Sequence, residues 1–225
     1  VTALGELLID FTENGTSAQG NPVLEANPGG APCNVLSMLN RLGHKTNFIG
    51  KIGKDMFGDQ LEAALKEVGI GTEGLMRDDE VHTTLAFVHT APDGDREFSF
   101  YRNPGADMML SENDVDAEQI KNSTIFHFGS LSMTDEVCRK ATRKDIAIAE
   151  EAGILMSYDQ NLREPLWKSM DLAKEQISYG LEHCNILKIS DNEIQWLTGR
   201  EDYDEGIAMV QEKYNIPLIL LSLGK

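Results

Sequence analysis

The sequence predicts an α/β fold with a mostly parallel central sheet between layers of helices. Short apolar runs alternate along the 225 residues with segments that have a helical period. These runs are mostly continuous, which is typical of strands buried on both faces of a parallel sheet. Alternation of strands and helices favours the α/β class. A hydrophobic fraction of 41% allows a sizeable core, and the length suits one large domain over residues 1–225 or one domain with a small appendage.

The elements are predicted from apolar runs and from helical periods. The predicted strands are "ALGELLIDF", "NFIGKI", "TIFHFG", "ILMSYD", "NILKIS" and "PLILLSLG". The predicted helices are "CNVLSMLNRLG", "FGDQLEAALKEVG", two segments around 135–152 and 171–183, a short one ending near Gly199, and one around 203–214. The first helix is expected to end at Gly43 and to bury one face, made of Val35, Leu36, Met38, Leu39 and Leu42.

Two segments break this alternation. Residues 12–30, "TENGTSAQGNPVLEANPGG", are polar and rich in turn residues, with a short extended piece near Val23–Ala26. Residues 83–103 hold two alternating runs around "PDGD", which is a hairpin signal. We expect both segments, over about 12–27 and 83–103, to form a small β lid outside the main sheet.

Charge and cysteine content exclude several classes of function. The net charge is 20 − 37 = −17, which disfavours a nucleic-acid partner and fits either solubility or a salty habitat. The apolar runs are too short to cross a membrane, and the N-terminus lacks the basic region of a signal peptide. The three cysteines are widely spaced, so neither a disulfide framework nor a zinc site is expected. A cytoplasmic location is the expectation.

Polar and glycine-rich stretches follow the predicted strands, where ligands bind in open α/β sheets. Taken singly, each stretch is also typical of an ordinary turn or cap. The sequence contains neither GxxxxGK[ST] nor GxGxxG, so a nucleotide would be held in another way. The stretches are Asp10, "NPGGAPCN", the loop "FIGKIGKDMFG", "SYDQNLR", "KISDNE" and "LSLGK".

Seven motifs resemble, in order, those of the ribokinase-like (PfkB) carbohydrate kinases, and they are most similar to those of bacterial and plant fructokinases. They are "GELLIDF", "PGGAPCNVLSMLNRLG", "FIGKIGKDMFG", "FYRNPGADMML", "SYDQNLREPLW", "LKISDNEIQWLTG" and "LLSLGK". The resemblance covers the whole chain. The resemblance implies a three-layer α/β sandwich with a β lid, and a homodimer formed through that lid. It also implies phosphoryl transfer from Mg²⁺-ATP to a sugar hydroxyl, beside the loop "FIGKIGKDMFG".

The resemblance assigns roles to twelve residues. The implied sugar contacts are Asp10, Gly29, Gly30, Asn34, Tyr101, Arg102 and Arg163, of which Arg163 would also reach the transferring phosphoryl group. The implied nucleotide contacts are Asn161, Lys188, Glu193, Ser222 and Gly224, and Glu193 would also contact Mg²⁺ through water.

The chain departs from the family pattern in two places. The wider family often has Asn-x-x-Glu where this chain has Ser190-Asp191-Asn192-Glu193, so Asp191 is a candidate for the role of the asparagine. The family's Gly-Ala-Gly-Asp turn, which carries the catalytic base, does not occur in residues 1–225. We therefore expect these residues to be part of a longer protein with an intact mass above 24.9 kDa. A chain that ended at Lys225 would be expected to show no turnover.

Three functions remain open at this point. The leading one is phosphorylation of D-fructose to fructose 6-phosphate. A 2-keto-3-deoxygluconate kinase would share the glycine motif and the Tyr-Arg pair, but its acidic substrate would need additional cationic contacts. A sugar-binding protein without catalytic activity, built on the same fold, is the alternative from another class.

Overall fold

A computed structural model provides the structure, and it describes residues 1–90 and 96–224. The strands are β1 (Thr2–Leu4), β2 (Leu8–Thr16), β3 (Pro22–Gly29), β4 (Asn47–Gly53), β5 (Gly71–Asp78), β6 (Leu85–Thr90), β7 (Arg96–Tyr101), β8 (Ile125–Gly129), β9 (Leu155–Asp159), β10 (Ile186–Ser190) and β11 (Leu218–Ser222). The helices are α1 (Ala31–Arg41), α2 (Met56–Val68), α3 (Ala117–Lys121), α4 (Glu136–Glu151), α5 (Met170–His183), α6 (Asp191–Thr198) and α7 (Tyr203–Tyr214). Short 3-10 helices span Ala106–Met109, Ser130–Met133 and Glu164–Leu166.

The chain divides into two compact units, which are described separately. Unit 1 contains Val1–Gly5 and Ser111–Lys225, and unit 2 contains Glu6–Leu110. Unit 1 holds a five-stranded parallel sheet, and unit 2 holds the parallel strand pair β4 and β5. This confirms the predicted α/β class with a parallel sheet.

Unit 1 is a parallel sheet in the order β11-β10-β9-β8-β1, with helices between its successive strands. Its core contains aromatic residues among aliphatic ones, and the rings of Phe128 and Tyr158 stack at 4.8 Å between centroids. Gly180 of α5 fits against the Tyr158 ring, because a Cβ at this position would lie 2.5 Å from Cζ. The two aromatic residues thereby join strands β8 and β9 to the helix that covers them.

Strand β11 differs from the prediction of burial on both faces. β1 is buried throughout, as predicted, but exposed and half-buried residues alternate along β11. Leu218 is 47% exposed and Leu220 is 50% exposed. β11 is the edge strand of unit 1, so a continuous apolar run does not by itself establish that both faces are covered.

Unit 2 combines the parallel pair β4–β5 with a four-stranded sheet in the order β3-β2-β6-β7. The β2–β3 and β6–β7 pairs are antiparallel, whereas β2 and β6 are parallel. Four aromatic rings pack on one another across this unit. In order they are Phe57, Phe11, Phe87 and Tyr101, with centroids 4.9–5.6 Å apart. Both segments that the sequence predicts as a lid contribute strands to the four-stranded sheet.

Several details of the prediction were wrong. The predicted first strand is two strands in different sheets, β1 and β2, so Asp10 lies within β2 instead of at a strand end. Residues 12–30 form most of β2 and all of β3, which is far more strand than predicted. On α1, Met38 and Leu42 are more than half exposed. The predicted "PDGD" turn lies outside the described residues. Across residues 1–90 and 96–224, no helix is both long and apolar enough to cross a bilayer.

Candidate active site

In unit 2, the side chain of Asp10 lies directly over Gly29. Asp10 pairs with Asn27 of β3 on one side and with Ala86 of β6 on the other, which fixes its position within the sheet. A Cβ at residue 29 would collide with the Asp10 carboxylate. Only glycine allows this close approach, and it leaves a half-buried carboxylate beside bare backbone. Such a pair can accept hydrogen bonds from adjacent hydroxyl groups of a ligand.

The turn after Gly29 is held by a buried carboxylate that the sequence analysis did not single out. Gly30 has a φ of 125°, and a Cβ there would collide with the backbone oxygen of Glu6. The backbone N–H of Ala31 donates a hydrogen bond of 2.9 Å to Glu6 Oε1. Burial raises the pKa of Glu6 to about 7. Glu6, although distant in sequence, therefore caps the N-terminus of α1 directly and fixes the glycine turn.

Asn34 stands in the first turn of α1 and is exposed, as a ligand contact would need to be. Together with Gly29, it lines a cavity of about 600 Å³ between α1 and α2. The structure thus brings together four of the predicted sugar contacts, which are Asp10, Gly29, Gly30 and Asn34.

Arg102 is placed differently from the prediction that it closes over a sugar. It is 7% exposed, and its Nε and Nη2 donate to Oδ2 of Asp107 at 2.8 and 2.7 Å. Thr84 donates to the other oxygen of the same carboxylate. Tyr101, which precedes Arg102, is 68% exposed, and its ring packs against that of Phe87. Tyr101 is therefore accessible to a ligand, whereas the guanidinium group of Arg102 forms a buried ion pair with Asp107 within unit 2.

The charged loop "FIGKIGKDMFG" also has a structural function. Asp55 caps α2 and accepts hydrogen bonds from the Gly58 N–H, the Thr83 N–H and the Thr83 hydroxyl, each 2.8 Å long. Burial raises the pKa of Asp55, but these hydrogen bonds outweigh it, so the pKa is lowered. Lys51 lies 3.6 Å from Asp78 of β5 and donates to the Met109 carbonyl. These contacts tie the loop to Thr83 before β6, to the end of β5 and to the 3-10 helix that ends at Met109.

In unit 1, Glu193 joins two of the predicted nucleotide segments. Its Oε2 accepts hydrogen bonds from the Ser190 N–H and hydroxyl, at 2.8 and 2.9 Å, and Ser190 in turn accepts from the Glu193 N–H. Its Oε1 accepts a 2.7 Å hydrogen bond from the Leu162 N–H. The first set is a capping box at the start of α6, which gives Ser190 a structural role at the position where the family often has asparagine.

Lys188 and Asp159 form an ion pair at the carboxyl ends of β10 and β9. Lys188 Nζ lies 3.3 Å from Asp159 Oδ1, in register across the two strands. Burial raises the pKa of Asp159, with the Lys188 charge lowering it and the Glu193 charge raising it. Lys188 is about half exposed at its side chain, so its charge remains accessible to an anionic ligand.

The remaining predicted nucleotide contacts lie at the same edge of unit 1. Asn161 has a φ of 39°, which marks a tight turn directly after β9. Ser222 is in register with Ser190, and the Gly224 N–H points at Asp191 Oδ2 at 3.4 Å. Arg163, two residues after Asn161, donates to the Leu162 carbonyl. Backbone N–H groups, Lys188 and the carboxylates of Asp159, Asp191 and Glu193 thus lie in or directly after β9, β10 and β11. In the described residues these carboxylates do not form a cluster that could hold a metal ion by itself.

Comparisons with known proteins show the family of the chain. A family model described as the pfkB family carbohydrate kinase matches residues 1–225. The chain belongs to this family. It is 43% identical over 227 residues to a probable fructokinase-2 of Arabidopsis thaliana. The alignment covers 100% of this chain and 69% of that relative.

Solved structures of the family are similar over the full chain. A fructokinase with bound ATP from Xylella fastidiosa is 31% identical with a TM-score of 0.88, covering 100% of this chain and 72% of that one. A double mutant of a Vibrio cholerae fructokinase, with fructose, ADP and potassium bound, is 27% identical with a TM-score of 0.88. That match covers 99% of this chain and 70% of the other. These structures confirm the ribokinase-like fold of this pfkB-family chain.

Proposed function

We propose that this protein is an ATP-dependent fructokinase that converts D-fructose to fructose 6-phosphate. The observation that carries the proposal is the close contact between the Asp10 carboxylate and Gly29, beside exposed Asn34. A carboxylate accepts two hydrogen bonds from neighbouring hydroxyl groups, and it donates none. The pair therefore suits a neutral polyol such as fructose, which is bound in the similar Vibrio cholerae structure.

The environment of Arg102 favours a neutral sugar over 2-keto-3-deoxygluconate. A keto-acid needs a cation for its carboxylate, and the Tyr-Arg pair of the motif would be the source. Here Asp107 already takes two N–H groups of Arg102, at 2.7 and 2.8 Å, in a site where the side chains are 2–3% exposed. Because that charge is balanced inside unit 2, an additional carboxylate gains little from it.

The nucleotide is proposed to bind unit 1 at the carboxyl ends of β9, β10 and β11. Lys188 supplies positive charge, and the backbone around Ser222 and Gly224 borders the base. Phosphoryl transfer depends on positioning and on neutralised charge more than on covalent chemistry. Arg163 is proposed to contact the sugar or the transferring phosphoryl group, and Asn161 the nucleotide phosphates.

Mg²⁺ fits this edge through water, since it keeps several waters beside phosphates and binds few carboxylates directly. Both oxygens of Glu193 already accept N–H or O–H groups, which leaves the carboxylate suited to water-mediated contact. Asp159 and Asp191 are the other carboxylates at this edge. When bound, the ion neutralises phosphate charge; the residues of the chain orient its water shell.

Replacement of Asp10 by alanine is expected to weaken fructose binding roughly ten- to hundredfold, because charged hydrogen bonds contribute about 1.5–3 kcal/mol. Isothermal calorimetry with fructose gives this value directly and does not require turnover. Glu13→Ala is the matched control, since it removes an exposed carboxylate from the same strand. Equal losses in both variants, at unchanged melting temperature, would contradict a sugar contact at Asp10.

A homodimer through the four-stranded sheet and a cytoplasmic location complete the proposal. β3 is an edge strand, and it exposes Val23 and Leu24, each 41% accessible. Exposed apolar edges tend to pair with another strand. The three cysteines are buried and unbonded, which is expected in a reducing compartment. Light scattering of the purified protein measures the oligomeric state.

A further inference from the structure

A second cavity lies in unit 1 among helices α5, α6 and α7. Its volume is about 250 Å³. Lys174 and Lys213 stand at its rim and are exposed, Val210 forms a buried apolar part of its wall, and Ser178 and Tyr214 are half-buried. None of these residues belongs to the sugar or nucleotide contacts described above.

The two rim lysines are unusual within this acidic chain. Seven other lysines of the described residues form ion pairs with carboxylates. Lys174 and Lys213 instead contact aromatic rings. The Lys174 ammonium lies 5.7 Å from the Trp196 ring centroid, and the Lys213 ammonium 4.6 Å from that of Tyr214. Two positive charges without a carboxylate partner, as far as the described residues show, thus border one cavity.

Among the described residues, the acidic residues nearest in sequence to the two lysines form no ion pairs with them. Glu175 and Glu212 are next in sequence to the two lysines, and adjacent residues of a helix face different directions. Glu175 also accepts a hydrogen bond from Gln176. Asp171 lies one turn before Lys174, but the pair is not within ion-pair distance. The two ammonium groups are therefore not paired with the carboxylates of these three residues.

A hydroxyl group adds a directed donor inside the cavity. Tyr214 Oη donates to Ser178 Oγ at 3.1 Å. Because Ser178 accepts this hydrogen bond, its own O–H is left to donate to another group. Two ammonium groups and one hydroxyl are thereby arranged around a space with an apolar wall at Val210.

We propose that this cavity binds a small phosphate monoester, with the phosphate held by Lys174, Lys213 and Ser178. Lysine binds phosphate as a point charge, and two lysines match a phosphate dianion. The wall at Val210 would contact the organic part of the ligand. The site is separate from the proposed sugar and nucleotide contacts, so a small metabolite could occupy it together with substrates.

Titration of the protein with inorganic phosphate at constant ionic strength tests the site. Isothermal calorimetry is the readout, because the heat of binding can be measured equally in the wild type and in a variant without the two lysines. The expected result is a saturable change in the wild type and at least about tenfold weaker binding in the Lys174→Gln/Lys213→Gln variant. Glutamine keeps a high helix propensity, so the fold is expected to be retained.

The matched control is Lys121→Gln/Lys140→Gln, which makes the same change in net charge at exposed ion-paired lysines of α3 and α4. It is expected to bind phosphate like the wild type. Equal weakening in both double variants, or a heat of binding that does not saturate, would overturn the proposal. Loss of the signal in Lys188→Gln but not in Lys174→Gln/Lys213→Gln would assign phosphate to the nucleotide edge and would also overturn it.

Discussion

Replacement of Arg102 by alanine is expected to lower the free energy of unfolding by about 3–5 kcal/mol, because it leaves a buried carboxylate without its cation. Asp107 is 4% exposed and receives two N–H groups from Arg102. Glu6 is a second buried acid whose pKa responds to Arg102. Burial raises the pKa of Glu6 to about 7, and the positive charge of Arg102 lowers it. Urea unfolding followed by circular dichroism measures the loss.

Two variants separate this effect from a general loss of charge. Lys54→Ala breaks an ion pair with Asp79 whose side chains are 68% and 75% exposed, and it is expected to change stability by less than about 1 kcal/mol. Arg102→Met combined with Asp107→Leu removes both buried charges and is expected to recover most of the stability. If Arg102→Ala were as mild as Lys54→Ala, the buried ion pair would not anchor this region.

Replacement of Asp145 by asparagine is expected to stabilise the protein increasingly as the pH rises. Asp145 is fully buried on α4, and neither of its oxygens has a hydrogen-bond partner among the described residues. Burial raises its pKa from 3.8 to about 8, although Lys144 lowers it. Between these values the unfolded chain has released the proton and the folded chain has kept it. Folding must therefore take up a proton, and stability falls as the pH rises.

The increase in the free energy of unfolding caused by Asp145→Asn is expected to be small near the unfolded pKa of 3.8. It is expected to grow by about 1.4 kcal/mol per pH unit towards the folded pKa of about 8. Asparagine has the shape of the protonated acid, so the comparison isolates the charge. Glu151→Gln, at an exposed position of the same helix, is the control and should show no such slope. A constant difference between Asp145→Asn and wild type across this range would show that the carboxyl group has no raised pKa.

Local rules predicted much of the fold correctly. The caps at Gly69 and Gly199 adopt the left-handed conformation where the sequence placed helix ends. Most strands and helices occur where periodicity predicts them. The capping box of Ser190 and Glu193 also has a readable signature, S-x-x-E, and a search for it would have explained the departure from Asn-x-x-Glu.

Contacts that depend on tertiary structure could not be predicted in this way. Nothing in the local pattern shows that Arg102 turns inward to Asp107, or that Thr83 binds Asp55. The exposure of Leu218 and Leu220 depends on strand order, which the apolar run does not encode. The burial of Asp145 could be predicted in part, because Asp145 follows Ala141 at a four-residue interval on the buried face of α4. The lack of a hydrogen-bond partner for its oxygens among the described residues could not.

ADP release with Mg²⁺-ATP, comparing D-fructose with 2-keto-3-deoxygluconate, tests the central proposal most directly. The assay should use the protein expressed from its complete gene. The proposal predicts turnover that depends on fructose, with little activity towards the keto-acid because Asp107 balances Arg102. Turnover with the keto-acid alone, or fructose binding without any ADP release, would contradict it.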